Sequence, residues 1–415
     1  MSGHAFSLLG PFAEWMTPGI GYHTNGLNES GGPMNLGEEY RWNIPVLTYA
    51  FDPSFTAWFG ATGIAEVEKA VALLNALPPD DSLDPDSFPL FSKNARNDIA
   101  HALMIHDVKS HALAALLHVI GLGNPERHVW TLRERSTNAN DQIAYTVIQR
   151  NFDPVAFVPT NHVNGTIYTY TVYDPITYPP PVAYADTIET PLDPLSHDFT
   201  SVAGLLQPDP NRGPQLGWGG SFTNITRDDA GGIRYLLSRD NVNAETLLPD
   251  IEPTAGEPAP PPVALRPGVE KITFVRMPFD TDLLHVPPVT NRFALSHFSD
   301  GVLQTRPVQR VSRRADVVFS VGYVAVPDRD PIYFHVRHGG FRNESTHNSA
   351  SPAPGPGILL PGTKIIFGKT SNGRFNFAPN FQTEATGYAD YQWGAIANET
   401  NIIARFPATE VEAAQ

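Results

Sequence analysis

With 415 residues the chain is long enough for two or three domains with cores of their own. Charged residues make up only 17% and there are 40 prolines, about twice the usual share, which predicts a loop-rich, β-rich body rather than a helical one. A net charge of −15 argues against a nucleic-acid partner, and the absence of cysteine excludes a disulfide framework, a thiolate site or an iron–sulfur site.

Taken in chain order, the first strong signal is Val46 to Asp52, where large apolar and polar residues alternate as in a strand. Thr62 is placed to cap a helix carrying Ile64, Val67, Val71, Leu74 and Leu77 at helical spacing, and Pro78-Pro79 stops it. After an acidic loop, a helix is expected from about Ser92 to His106. Asp107 then caps a third helix, which ends at Gly121. Residues 143–184 alternate like strands and are rich in Thr, Tyr, Val and Ile. Thr226 begins a closing helix with Asp228 and Asp229 in its first turn.

Between residues 249 and 266 the composition shifts to Pro, Ala, Glu and Gly without periodicity, which reads as a linker. Beyond it, strands are expected at Lys271 to Val275, Val317 to Val326, Ile332 to Val336, Lys364 to Gly368 and Ile402 to Phe406. The division that follows is an extension at 1–40, a mixed domain at 41–248, the linker at 249–266 and a β-sandwich-like body at 267–415. The fold class is α+β, a mixed sheet with helices followed by an all-β unit.

Three pieces resemble a matrixin-like metzincin domain across roughly residues 40–240. A Trp-x-x-Pro-Val-Leu-Thr-Tyr strand from Trp42 to Tyr49 precedes a helix of the Ala-Val-Glu-x-Ala type near Ala65 to Ala70. A helix ending His118-Val119-Ile120-Gly121-Leu122-Gly123 follows, and a Thr-x-Asp-Asp-x-x-Gly-Ile helix closes the series at Thr226 to Ile233. The family carries H-E-x-x-H-x-x-G-x-x-H, in which two His one turn apart and a third beyond a Gly hold Zn²⁺, while the Glu activates its water. On this chain the first His, the Glu and the third His fall on Ala114, Ala115 and Asn124, so only His118 and Gly121 match. No Met lies between Met104 and Met277, where the family's Met-turn belongs. The resemblance therefore implies a metzincin-like fold without the family's catalytic residues, a pseudoenzyme.

Other histidines offer a rearranged centre. His111 and His118 lie seven residues apart on one helix face, roughly 10 Å from each other, too far to share a metal. His128, beyond the turn, is placed to fold back toward His118, with Glu126 or Asp107 nearby; His118 and His128 are thus the candidate metal residues of a vestigial or rearranged zinc site. Ser196-His197-Asp198 has the composition of a triad, but neighbouring residues rarely converge on one centre. Asp80-Asp81, Asp228-Asp229 and Asp328-Arg329-Asp330 lack Ca²⁺-loop spacing and read as solvated or capping acids. Trp218, Tyr388, Tyr391 and Trp393 are candidates for a sugar-stacking surface, with core packing as the alternative.

The expected protein is non-catalytic and exported or at the cell surface. Its role is structural or binding, by self-assembly or through a protein partner, and it needs no cofactor. The alternatives are a zinc-dependent peptidase using the rearranged site and a binder of extracellular polysaccharide. No apolar run approaches the ~18 residues of a membrane span. Met1 to His4 shows no signal peptide, so export implies a leader lost before this numbering.

Overall fold

The computed structural model describes residues 5–10, 13–20, 32–92, 94–163, 165–174, 185–193, 201–206, 216–279, 288–323, 336–337, 357–358, 362–369 and 392–407. Among them it is a mixed α+β protein with four α-helices and several sheets, mostly antiparallel.

The strand Val46–Phe51 is the pivot of the architecture. All but Val46 are buried, as expected of a strand covered on both faces. It pairs in parallel with Thr273–Arg276 on one side and with Val317–Tyr323 on the other. Val317–Tyr323 pairs in parallel with Thr363–Lys369, and Val336–Arg337 adds an antiparallel edge. The expected boundary at 249–266 therefore does not divide the sheets. A self-contained β-sandwich over 267–415 is corrected on this point, because its strands at 273–276, 317–323 and 363–369 complete a sheet around an N-terminal strand. Likewise Gln392–Ile396 pairs in parallel with Ile105–Asp107 and antiparallel with Ile402–Phe406. Residues 332–335 of the expected Ile332 to Val336 strand lie outside the described residues.

Helix α1 (Pro53–Asn75) starts earlier than Thr62. Asp52 caps it by accepting from the Phe55 N–H at 3.0 Å, and Pro53 takes the first position, where a missing N–H costs nothing. Gly60, at φ 57°, breaks the helix, so the expected segment is the part after this break. Val67, Val71 and Leu74 are buried as their spacing predicts, and Ile64 and Leu77 pack at the margin. Phe55 and Phe59 add an aromatic stripe. Phe59 meets Phe367 at 5.4 Å and Phe406 at 5.1 Å between ring centroids, and Phe367 meets Trp393 at 5.1 Å. One apolar core thus runs from α1 into the C-terminal strands.

The second large sheet is antiparallel, in the order Asn243–Thr246, Val263–Arg266, Val289–Ser299, Val302–Ser312, Ile251–Pro253. Its long hairpin turns at Asp300-Gly301, with φ of 51° and 77°. A two-residue loop with both φ positive follows the right-handed twist of the strands, and Asp-Gly supplies it at low cost. The supposed linker contributes two strands to this sheet.

The expected Ser92 to His106 helix is reduced to α2 (Asp98–Ala102). Asn97 caps it by accepting from Ala100 N–H at 2.8 Å, and Met104 at φ 55° turns the chain into the Ile105–Asp107 strand. Helices α3 (Val108–Ile120) and α4 (Arg227–Leu237) form where their caps predict. Helix α3 packs against α1, and α4 packs against the N-terminal strand Phe6–Gly10. Strands at Ile143–Ile148 and Thr166–Tyr173 agree with the alternation read there, while 175–184 lie outside the described residues.

Candidate functional site

Helix α3 is built as an interior helix. Asp107 accepts from Ser110 N–H at 2.9 Å and from Ser110 Oγ–H at 2.5 Å, closing the N-terminus. Gly121, at φ 119°, ends it in the left-handed region. A Cβ there would sit 2.6 Å from the Tyr40 carbonyl, so glycine is required twice over. Between these caps every residue but Lys109 is buried. A helix buried on nearly every side is an interior element.

Ala114 and Ala115 are 0% exposed, His118 3% and Asn124 0%. Trp42 lies along the helix and donates its indole N–H to the Val119 carbonyl at 2.8 Å. The short 3₁₀ helix Ala203–Leu206 packs on α3 in the stretch of chain where the family resemblance calls for a Met-turn. Asp229 holds that segment down. Its carboxylate accepts from Ser201 Oγ–H at 2.8 Å, Val202 N–H at 3.0 Å and Ala203 N–H at 3.1 Å, while closing a capping box with Thr226. Its neighbour Asp228 accepts from the Ala5 N–H at 3.0 Å and so ties the first strand to α4. Asp229 caps α4 as expected of this acidic pair, while both carboxylates are buried rather than solvated and also tether two distant segments. Burial, with the charges of Asp229 and Glu126 adding to it, holds the Asp228 carboxyl well above the usual range.

Beyond Gly121 the chain pairs Leu122–Gly123 with the first strand. It then turns through Asn124, whose side-chain oxygen accepts from Glu126 N–H at 2.9 Å. Asn124, at the place of the family's third zinc ligand, is thus engaged in a turn. Glu126 and His128 are buried at 5% and 6% exposure. Among the described residues no group of three His, Asp or Glu side chains is gathered in a way that can hold a metal ion.

His106 and His111 belong to a separate cluster at the start of α3. The rings of His106 and His111 lie 5.5 Å apart, and Trp393 sits 5.8 Å from the first and 5.1 Å from the second. His111 Nδ1 hydrogen-bonds to the Asp107 carbonyl at 2.8 Å, and desolvation pushes its pKa down to about 4. Burial, and then the neighbouring His111, hold His106 well below the ordinary histidine value. Both are neutral core residues at pH 7. Trp218 lies 6.5 Å from His106, and His101 packs on Trp218 at 6.1 Å. Trp393, at 1% exposure, is core rather than a sugar-stacking surface. Tyr388, Tyr391, His197 with its neighbours, and Asp328 to Asp330 lie outside the described residues. Asp80 is buried at 8% exposure, which corrects its reading as a solvated acid.

A set of buried charges went unread in the sequence. Arg41, Arg266 and Arg310 are 1–2% exposed. Arg41 donates to Glu245 at 2.6 Å and to the carbonyls of Asn241 and Arg266 at 2.5 and 2.9 Å. Arg310 sits in the run Arg306 to Arg314, which shows strand-like alternation; its inward placement follows from that alternation, and of its acidic partners Asp316 is near in the chain while Asp250 is distant.

Comparison of the chain with protein-family models, with curated proteins and with solved structures finds no match. The fold and the residues around α3 define an α+β protein whose central helix is an interior element.

Proposed function

We propose that the chain is a non-catalytic protein, exported or at the cell surface, built on a degenerate metzincin-like framework and acting as a structural or binding element. The observation that carries this reading is the burial of α3 on every side, with Ala114 and Ala115 where the family places a zinc ligand and the general base. A metzincin-type helix works by presenting ligands to a cleft, and here that face carries methyl groups against other protein.

The order of strand Val46–Phe51, α1, α3 and α4 supports the metzincin-like part, together with the packing of α1 on α3. The antiparallel sheet around the Val289–Ser312 hairpin is the part of the C-terminal half that supports a β-rich binding body. No described helix is long and apolar enough to cross a membrane. Self-assembly or a protein partner is the favoured mode of action, and polysaccharide binding loses the support that Trp393 was expected to lend.

Metal analysis of the purified chain after zinc is added back and excess removed tests the reading. No stoichiometric zinc is expected. One tightly held zinc per chain, lost in His118→Ala, overturns it. Light scattering over a wide concentration range tests self-assembly, and a monomer throughout leaves only partner binding.

A further inference from the structure

The strand Val289–Ser299 is paired fully on one side only. There it runs with Val302–Ser312 along its whole length, from Ser299 opposite Val302 to Val289 opposite Ser312. On the other side its one strand partner among the described residues is Leu265, opposite Phe298. Past Arg266 the neighbouring chain leaves the sheet, and Gly268 and Glu270 donate their N–H groups to the Ser238 and Leu237 carbonyls at 3.0 and 2.9 Å. Beside residues 293–296 this leaves an open cavity of about 180 Å³, lined on the opposite side by Pro45, Arg239 and residues 267–270.

The turn decides which backbone groups face this gap. Asp300-Gly301 is a two-residue loop, so Ser299 and Val302 exchange both N–H···O bonds, and every second residue back from Ser299 aims its backbone at Val302–Ser312. Pro307 gives the same phase independently, because it has no N–H to donate and stands opposite Ala294. Thr290, Arg292, Ala294 and Ser296 therefore turn their N–H and C=O groups to the free edge, and the first three are exposed. Native edges are commonly blunted by a proline, a bulge or an inward charge, and residues 290–296 carry none of these.

We infer that this edge takes an extended acidic peptide as an added antiparallel strand, its backbone bonded to Arg292, Ala294 and Ser296, with apolar side chains in the cavity against Phe293 and alternating acidic ones beside Arg292 and Arg239. Charge selects this occupant. Arg292 and Arg239 flank the gap against the single acid Glu270, a net positive rim on a chain of net charge −15. Arg239 and Glu270 meet at 2.8 Å with both side chains about half exposed, so that pair is weak and open to exchange. A second copy of the chain would bring its own Arg292 to the same edge, like charge against like. Such a site gives the partner binding proposed above a location and rests on that reading, while zinc analysis tests the non-catalytic part independently.

The probe is acetyl-Glu-Val-Glu-Val-Glu-amide, titrated into the full chain at low salt and followed by calorimetry and by amide hydrogen exchange. Saturable one-to-one binding with Kd below about 1 mM is expected, and exchange at 290–296 slows. Methylating the Glu nitrogens, which face the edge in this pairing, should abolish binding, whereas methylating the Val nitrogens, which face away, should leave it within about threefold. The Lys-Val-Lys-Val-Lys counterpart should bind about tenfold more weakly or worse. Ala294→Pro removes one outward donor and no bond to Val302–Ser312, so it should lose peptide binding and keep the native thermal transition. Should that variant misfold, the exposed Arg292→Glu is expected to shift preference toward the Lys peptide by about tenfold. No saturable binding up to about 10 mM, equal loss from either methylation pattern, equal affinity for the two peptides, an unchanged preference in Arg292→Glu, or outward amides already protected in the free chain each overturns the inference.

Discussion

Arg310 and Asp316 form a two-pronged ion pair in which Nη1 and Nη2 meet the two carboxylate oxygens at 2.9 and 2.6 Å, with both side chains buried. The same carboxylate accepts from Thr48 N–H at 2.7 Å and Thr48 Oγ–H at 2.9 Å. Arg310 stands in the antiparallel sheet and Thr48 in the central parallel sheet, so this pair joins the two large sheets. Removing one partner of a buried pair leaves an uncompensated charge, and Arg310→Met is expected to cost about 3–5 kcal/mol. Asp316→Asn added to it removes that charge and should recover part of the loss. Urea denaturation of both single variants and the double variant reads the coupling, and strictly additive costs would refute it.

The shared aromatic core predicts one folding unit. Strand Val46–Phe51 loses both its neighbours if the chain stops at residue 266, and Phe59 loses Phe367 and Phe406. A 1–266 fragment should therefore lack a cooperative thermal transition, while the full chain shows the central sheet and the antiparallel sheet melting together. Phe59→Ala should lower the full chain's stability by about 3–5 kcal/mol. A fragment that melts cooperatively would restore the boundary at 249–266.

The closed environment of α3 predicts what a carboxylate at position 115 does. Ala115→Glu buries a carboxylate against apolar neighbours, at an expected cost of about 3 kcal/mol or more. Chemical denaturation measures it. A cost below about 1 kcal/mol would mean that this face opens to solvent, contrary to its burial here.

His111 predicts a pH dependence. Its ordinary value is 6.5 and its folded value about 4, so between these the unfolded chain takes up a proton that the folded chain refuses. Stability contributed by the neutral ring is complete above 6.5 and is lost as pH falls, to about 3 kcal/mol at and below the folded value. Denaturation profiles of the native chain and of His111→Gln should diverge across this window, with the native chain losing more toward acid. Parallel profiles would place the acid sensitivity elsewhere.

Much of the local structure was legible in the residues. Asp107, Gly121 and the Thr226/Asp229 capping box act within a few residues of themselves, so the chain carries both partners of each contact close together. The Asp300-Gly301 hairpin belongs to the same kind, its turn residues lying directly between the two strands they join. The candidate site was half legible. Ala114, Ala115 and Asn124 depart from the metzincin ligand pattern that the sequence resembles, since a ligand set is a matter of residue type and spacing.

What the tertiary structure decided is that this helix is interior, with 3₁₀ segment 203–206 packed on it and the Trp42 indole N–H bonded to its Val119 carbonyl. It also decided that Val46–Phe51 lies between strands that begin at Thr273 and Val317. Backbone pairing in a parallel sheet is nearly blind to side-chain identity, so an apolar strand announces burial but carries no address for its partner. For the same reason the burial of His106, His111 and Arg266 stayed hidden, because each depends on residues that only folding brings within reach.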